Sequence, residues 1–208
     1  MKRLGIFGGM GPEAAIDLQT KILRLTPAGK DQEHLPVVIW NVPQIPDRTA
    51  AILGGGESPL PVMHDAIAAL DAMGAQRIVI ACNTAHHWYA ALQAKTSTPI
   101  IHIADAVHAE LAQSKEPVLA TLGVQLVLPE AASQQALTTA IGFLKSGQHD
   151  AAAKIVDQVA QELLNLGAQR LILGCTELPL VADKLSTKEL CIDATVALAK
   201  AAVSACLK

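Results

Sequence analysis

Short apolar segments rich in β-branched residues alternate along the chain with longer, alanine-rich stretches of helical character. The apolar segments predict strands at residues 4–8, 37–41, 77–83, 99–105, 117–123, 125–129, 170–176 and 190–193. Helices are predicted over 12–25, 61–74, 131–166 and 194–207, with another beginning shortly after residue 83. Strands that alternate with helices form parallel sheets, so the pattern predicts an α/β fold.

An internal repeat sharpens this prediction. The segment GAQRIVIACNTAH (74–86) matches GAQRLILGCTELP (167–179) in its opening residues, its apolar strand and its cysteine. We therefore expect two pseudo-symmetric lobes, each a parallel sheet flanked by helices. The first comprises residues 1–114, with the C-terminal helix 194–208 packing back on it, and the second comprises residues 115–193.

The second lobe is predicted to be truncated. Its first two apolar segments, 117–123 and 125–129, follow one another almost directly, whereas parallel neighbours need a crossover of roughly a dozen residues. We expect this lobe to lack one helix and to have a smaller or locally antiparallel sheet.

Composition excludes several classes of protein. With 51% apolar and 17% charged residues, the chain is not intrinsically disordered. A net charge of −3 and 2% aromatic residues argue against a nucleic-acid partner. The apolar stretches are too short to span a membrane, and the N-terminus lacks the features of a leader. Four cysteines without metal-ligand spacing indicate a reducing, cytoplasmic location, and the scattered histidines indicate no metal site.

Two cysteines are the strongest candidates for chemistry. Cys82 and Cys175 each end a predicted parallel strand and precede a predicted helix, and ligands bind at that edge of α/β sheets. A helix N-terminus also favours the thiolate. Buried structural thiols, a disulfide, and a single nucleophile with His86 as its base are alternatives. Two equivalent thiols suit a reaction that removes a proton from one face of a carbon and returns one to the other.

Four segments resemble the aspartate/glutamate racemase family: GIFGGMGPEAA (5–15), NVPQIPDRTAAI (41–52), ACNTAH (81–86) and LGCTELPL (173–180). The resemblance implies a cofactor-independent homodimeric racemase of a small acidic amino acid, with aspartate favoured over glutamate. It implies a site between the lobes, with Cys82 and Cys175 as the two acid–base residues. The substrate-binding residues that it implies are Met10, Arg48, Asn83, Thr84, Thr121, Lys145 and Thr176.

Three other interpretations stay open at this point. The family has a loop and a helix after the strand that matches 118–121, and their absence here leaves open a catalytically weak or inactive relative that binds an acidic amino acid or acts as a partner protein. A second alternative is a related hydantoin racemase or maleate isomerase. The third is a dinucleotide site, because residues 9–14 match G-x-G-x-x-A, but the next strand ends in Asn41 instead of an acidic residue.

Overall fold

The computed structural model describes residues 1–112 and 126–208. The contacts divide the chain into two compact units, Met1–Ala106 together with Thr195–Lys208, and Val107–Ala194. Within the described residues, no helix combines the length and the apolar character that crossing a membrane requires.

The first unit is built on a four-stranded parallel sheet with the order β2-β1-β3-β4. The strands are β1 (Leu4–Gly8), β2 (Val37–Asn41), β3 (Arg77–Ile80) and β4 (Ile100–Ile101). All five residues of the central strand β1 are buried, as expected for a parallel strand paired on both sides. The predicted α/β class with parallel strands is confirmed.

Helices cover this sheet with apolar faces. The helices of this unit are α1 (Pro12–Leu25), α2 (Arg48–Ile52), α3 (Leu60–Ala72), α4 (Tyr89–Gln93), α5 (Ile103–Ala112, which contains the boundary between the units) and α8 (Ala194–Leu207). Short 3₁₀ helices occupy Asp31–Glu33 and Thr84–Trp88. Helix α1 buries Ala14, Leu18 and Ile22 at helical spacing, and both α1 and α3 pack against β1. The predicted helices 12–25, 61–74 and 194–207 are confirmed within two residues at each end.

The turn between β1 and α1 fits only glycine at its centre. Gly9 has a φ of +105°, and a Cβ there would lie 2.3 Å from the carbonyl carbon of Val42. The Val42 amide donates to the Gly8 carbonyl oxygen at 3.2 Å, directly beyond β2. The turn therefore lies against the carboxyl end of the neighbouring strand, at the edge where parallel α/β sheets bind ligands.

The second unit has a two-stranded parallel sheet of β5 (Leu171–Leu173) and β6 (Cys191–Asp193) in its described part. Helices α6 (Ala131–Lys145) and α7 (His149–Asn165) pack on each other, and 3₁₀ helices occupy Leu178–Lys184 and Lys188–Leu190. Residues from these elements form one apolar core, which includes Ala140, Leu144, Val156, Leu173, Leu178 and Val181.

The repeat found in the sequence corresponds to the same local structure in both units. Gly74 lies just past the end of α3 and Gly167 just past the end of α7, with φ values of +77° and +95°. In both cases the alanine that follows donates its amide to a carbonyl five residues earlier, Ala75 to Leu70 and Ala168 to Leu163. Each glycine thus ends a helix and redirects the chain into the strand that leads to a cysteine.

Four element predictions were wrong in extent. The strands predicted over 77–83 and 170–176 are shorter, Arg77–Ile80 and Leu171–Leu173. The helix predicted over 131–166 is two helices, because the amide of Gln148 bonds back to the carbonyl of Phe143 and closes α6. The strand predicted over 99–105 is only two residues long, since α5 already begins at Ile103. The imidazole Nδ1 of His102 accepts the amide of Ala104 at 3.1 Å and so caps that helix.

The predicted junction of the second lobe lies largely outside the described residues, as does Thr121. Of the strand predicted over 125–129, residues 126–129 are described, and they form neither helix nor strand. Leu126 and Leu128 are 68% and 75% exposed, so this apolar run pairs with no sheet in the described part of the chain. That strand prediction is therefore wrong, because an apolar run becomes a strand only beside a partner strand.

Candidate functional site

Cys82 lies where the sequence predicted it, just beyond the carboxyl end of β3. The amide of Ala81 donates to the carbonyl of Phe7 at 2.9 Å, so the pairing with β1 continues to the residue before the cysteine. Cys82 is 5% exposed and packs in an apolar cluster that also contains Met10 and Ile45. The sheet and this cluster together fix the position of the thiol.

Met10 stabilises the first unit by packing in its apolar core. Its side chain is 1% exposed and belongs to the same cluster as Cys82. Met10, which directly precedes Gly11, thus anchors the glycine turn in the apolar core. A direct contact of Met10 with substrate stays a prediction.

The two polar residues after Cys82 are exposed. Asn83 occupies the N-cap position of the 3₁₀ helix Thr84–Trp88, but its side chain makes no capping hydrogen bond. Neither the Asn83 nor the Thr84 side chain has a hydrogen-bond partner within residues 1–112 and 126–208. Their donors and acceptors are therefore available to a ligand beside Cys82.

The helix predicted to begin after Cys82 is a 3₁₀ segment followed by the five-residue helix α4. The peptide dipoles of such short segments do not add up to the macrodipole of a long α-helix. The dipole of a long α-helix is therefore not present after Cys82, and a favoured thiolate there stays a prediction.

His86 is held in its neutral form by the backbone. Its Nδ1 donates to the carbonyl of Cys82 at 2.9 Å, and its Nε2 accepts the amide of Ile103 at 3.3 Å. The residue is 7% exposed, and burial lowers the pKa of its imidazole below 6.5 although the bond to Cys82 opposes this shift. Because both ring nitrogens are bonded to the backbone, the structure argues against His86 as the base of a single-nucleophile site.

Arg48 is the first residue of α2, which packs against the 3₁₀ helix that follows Cys82. The carboxylate of Asp47 fixes the start of α2 by accepting the amide of Ala50 at 2.8 Å. Nη1 of Arg48 donates to the carbonyls of Ile45 and Pro46 at 3.4 and 3.2 Å, and Nε is buried without a partner in the described part of the chain. A half-buried guanidinium held by neutral carbonyls favours an anionic ligand.

Cys175 lies beyond β5, in the position that corresponds to Cys82 in the repeat. Its thiol donates to Oε2 of Glu177 at 2.9 Å, and the hydroxyl of Thr176 donates to the same oxygen at 3.3 Å. Thr176 and Glu177 are 1% and 4% exposed, whereas Cys175 is half-buried. The segment continues as the 3₁₀ helix Leu178–Lys184, so the helix that follows Cys175 is not an α-helix.

Glu177 was not among the predicted site residues. The sequence signal that could have identified it is an acidic residue placed directly before the apolar run LPLV. A carboxylate in such surroundings is buried only where donors reach it.

Lys145 lies in the second unit, at the end of α6. It is the exposed last residue of α6 and has no ion pair or hydrogen bond from its side chain among the residues described. Its role toward a substrate, like that of Thr121, stays a prediction. Cys191 and Cys206 behave as ordinary packed thiols, because burial raises the pKa of both.

Comparison with known proteins gives a consistent result over the whole chain. A family profile described as Asp/Glu/Hydantoin racemase matches residues 7–202. The broad specificity amino-acid racemase RacX of Bacillus subtilis is 26% identical over 221 aligned residues, covering 97% of this chain and 96% of RacX.

Solved structures agree with this match. The aspartate racemase of Picrophilus torridus has a TM-score of 0.85 at 28% identity, covering all of this chain and 95% of that one. An aspartate racemase homologue from Pyrococcus horikoshii has a TM-score of 0.74 at 22% identity, with complete coverage of both chains. At the lower identity the similarity establishes the fold alone.

Burial of His86 leads to a prediction of how the stability of the protein depends on pH. Because the pKa of His86 is lower in the folded chain than its ordinary value of 6.5, the unfolded chain binds a proton that the folded chain does not. The contribution of His86 to stability is therefore present above pH 6.5 and is lost as the pH falls through 6.5 toward the folded pKa. In His86→Asn, the free energy of unfolding should decline less steeply between pH 7.5 and pH 5, as measured by urea denaturation. Equal slopes for the two proteins would contradict this assignment.

Proposed function

The chain belongs to the Asp/Glu/Hydantoin racemase family and is an amino-acid racemase, and on this premise we propose that it racemises aspartate or glutamate without a cofactor. In the proposed reaction the thiols of Cys82 and Cys175 are the two acid–base groups. The homodimer implied by the sequence resemblance is part of the same proposal. The observation that carries it is the equivalent position of the two cysteines, each directly beyond a strand that follows a glycine-capped helix.

The proposed chemistry is a 1,1-proton transfer. A thiolate takes the α-proton, so that an S–H bond forms while the C–H bond breaks and its electron pair moves toward the α-carboxylate. The second thiol then gives its proton to the opposite face of the α-carbon and is left as the thiolate. Configuration is inverted, no electron is gained or lost, and the two sulfur atoms have exchanged roles.

The carbanion needs stabilisation because the α-proton of an amino acid is a very weak acid. Hydrogen-bond donors that are already in position in the free enzyme supply this stabilisation at little reorganisation cost. Asn83 and Thr84 support the proposal, since their exposed side chains lie directly after Cys82. We assign them to the α-carboxylate and the ammonium group. We also assign Thr176 to the substrate, and its hydroxyl donates to Glu177 at 3.3 Å.

Arg48 supports an acidic substrate. Its guanidinium is fixed through Nη1 by two carbonyl oxygens, and α2 packs on the segment that follows Cys82. A planar guanidinium binds a carboxylate through paired charge-assisted hydrogen bonds, which a neutral side chain of a substrate cannot accept. We therefore assign Arg48 to the side-chain carboxylate, with aspartate favoured over glutamate.

Replacing either cysteine tests the two-thiol mechanism. Cys82→Ser and Cys175→Ser should each lower kcat/KM by about 100- to 10,000-fold, because a serine hydroxyl does not ionise at neutral pH. The measurement is the conversion of each aspartate enantiomer, followed by chiral chromatography.

Cys191→Ser is the matched control for these variants. Its sulfur donates weakly to the Thr187 carbonyl at 3.5 Å, a bond that a hydroxyl can also make, and activity should remain that of the wild type. Near wild-type rates in Cys82→Ser or in Cys175→Ser would show that the reaction does not use two thiols.

Removing the guanidinium tests the substrate assignment. Arg48→Ala should lower kcat/KM for aspartate by about 10- to 100-fold, the equivalent of one lost hydrogen bond between charged groups. Any activity toward alanine should change far less, because alanine has no second carboxylate. Arg48→Lys should recover only part of the loss, since an ammonium lacks the paired donors.

Arg24→Ala, at an exposed position in the last turn of α1, controls for the loss of a surface cation. Equal losses with aspartate and alanine in Arg48→Ala would make Arg48 a structural residue. They would favour the broad specificity that is named for RacX.

A further inference from the structure

A buried carboxylate adjoins one of the two proposed catalytic thiols. Glu177 is 4% exposed, and its Oε2 accepts the Cys175 thiol at 2.9 Å and the Thr176 hydroxyl at 3.3 Å. Although it occupies the N-cap position of a 3₁₀ helix, its side chain makes no capping hydrogen bond. The next residue, Leu178, lies in the apolar core of the unit. Burying a carboxylate here is costly, and the helix gains no cap from it.

The first repeat carries a different residue at the corresponding position. The residue that aligns with Glu177 is Thr84, which carries an exposed hydroxyl. The nearest ionisable ring in that segment is His86, whose two nitrogens are bonded to the backbone of Cys82 and Ile103. The two repeats therefore differ in chemistry at a point where their backbones are alike.

We propose that Glu177 is the proton acceptor that converts the Cys175 thiol into the thiolate. This inference rests on the proposed function, in which Cys175 removes the α-proton of one enantiomer. The S–H bond of Cys175 breaks, an O–H bond forms on Oε2 of Glu177, and the electron pair remains on sulfur. The thiolate then takes the α-proton.

In the opposite direction the same pair works in reverse. Cys175 gives its proton to the carbanion and becomes the thiolate, and the O–H of Glu177 returns its proton to the sulfur. That step regenerates the hydrogen bond seen in the structure, with the thiol as donor and the carboxylate as acceptor.

Charge explains why a carboxylate suits this position. The Cys175–Glu177 pair carries one negative charge before and after the transfer, and that charge moves only between two bonded atoms 2.9 Å apart. No new charge is created in a poorly solvated place. Since a 3₁₀ helix follows Cys175 in place of an α-helix, the dipole of a long helix is not available to produce the thiolate.

Glu177→Gln is the decisive variant, because glutamine keeps the size and one acceptor oxygen but cannot take up a proton. We expect kcat/KM for aspartate to fall by about 100- to 10,000-fold. The loss should be equal in both directions, since the equilibrium constant between enantiomers is one. The acidic limb of kcat/KM against pH should also move upward toward about 8.5, the ordinary pKa of a cysteine thiol, which must now lose its proton to water.

The pH profile separates proton transfer from a structural role, which would leave the acidic limb in place. Glu177→Asp keeps a carboxylate and should show a smaller loss, with the acidic limb close to that of the wild type. If Glu177→Gln fails to fold, the wild type and Glu177→Asp still decide the matter. An acidic limb near 8.5 in both of these proteins overturns the proposal.

Glu162→Gln is the matched control for the glutamine variant. Glu162 lies on α7, and its carboxylate accepts the hydroxyl of Ser133 and the side-chain amide of Gln158. The same loss of charge at that position should leave both kcat/KM and the pH profile unchanged. A Glu162→Gln profile that shifts like that of Glu177→Gln overturns the assignment to Glu177.

Measuring Cys175→Ser in the same assay separates a failure of the Glu177 proposal from a failure of the two-thiol mechanism. An inactive Cys175→Ser beside a Glu177→Gln enzyme with normal kcat/KM and an unshifted limb overturns the role of Glu177 and leaves the two-thiol mechanism standing. An active Cys175→Ser overturns that mechanism, and the role of Glu177 with it.

Discussion

Parallel pairing of β1 with both β2 and β3 is the constraint on which the first unit depends. Phe7 lies opposite Trp40 on one side and Ile80 on the other, so the three strands end at nearly the same level. The glycine turn and Cys82 consequently emerge at one edge of the sheet. A shift of either register would move the thiol away from the cluster that fixes it.

At the same edge, the residues around Cys82 are largely neutral. The thiol lies on an apolar cluster, the imidazole of His86 is held neutral by two backbone groups, and Asn83 carries an uncharged amide. Arg48 brings a positive charge on a helix packed against this segment. Such surroundings favour a site whose negative charge is brought by the substrate, because few local charges compete for it.

Much of the fold could be predicted from the sequence, because strands with β-branched residues and glycine-ended helices leave local patterns. Residues 4–8 and 37–41 are strands with the predicted bounds, and the repeat beginning at Gly74 and Gly167 marks the same helix ending in both units. The positions of both cysteines followed from these patterns.

The errors and omissions concern contacts that local patterns do not encode. The end of β4 depends on His102 accepting the amide of Ala104, and the state of His86 depends on Ile103, which is 17 positions away. The helices expected after both cysteines are 3₁₀ segments. Glu177 was missed because its contact with the Cys175 thiol depends on side-chain conformation and burial, which a single sequence does not display.

The central claim is that two different sulfur atoms handle the proton, one on each face of the α-carbon. Its most direct test is to incubate each enantiomer of aspartate with the enzyme in deuterium oxide and to follow the α-position by NMR during the first few per cent of conversion. The two-thiol mechanism predicts that the product enantiomer carries deuterium while the recovered substrate retains its original hydrogen. Deuterium that enters the recovered substrate as fast as product forms would indicate a single base and would contradict the account.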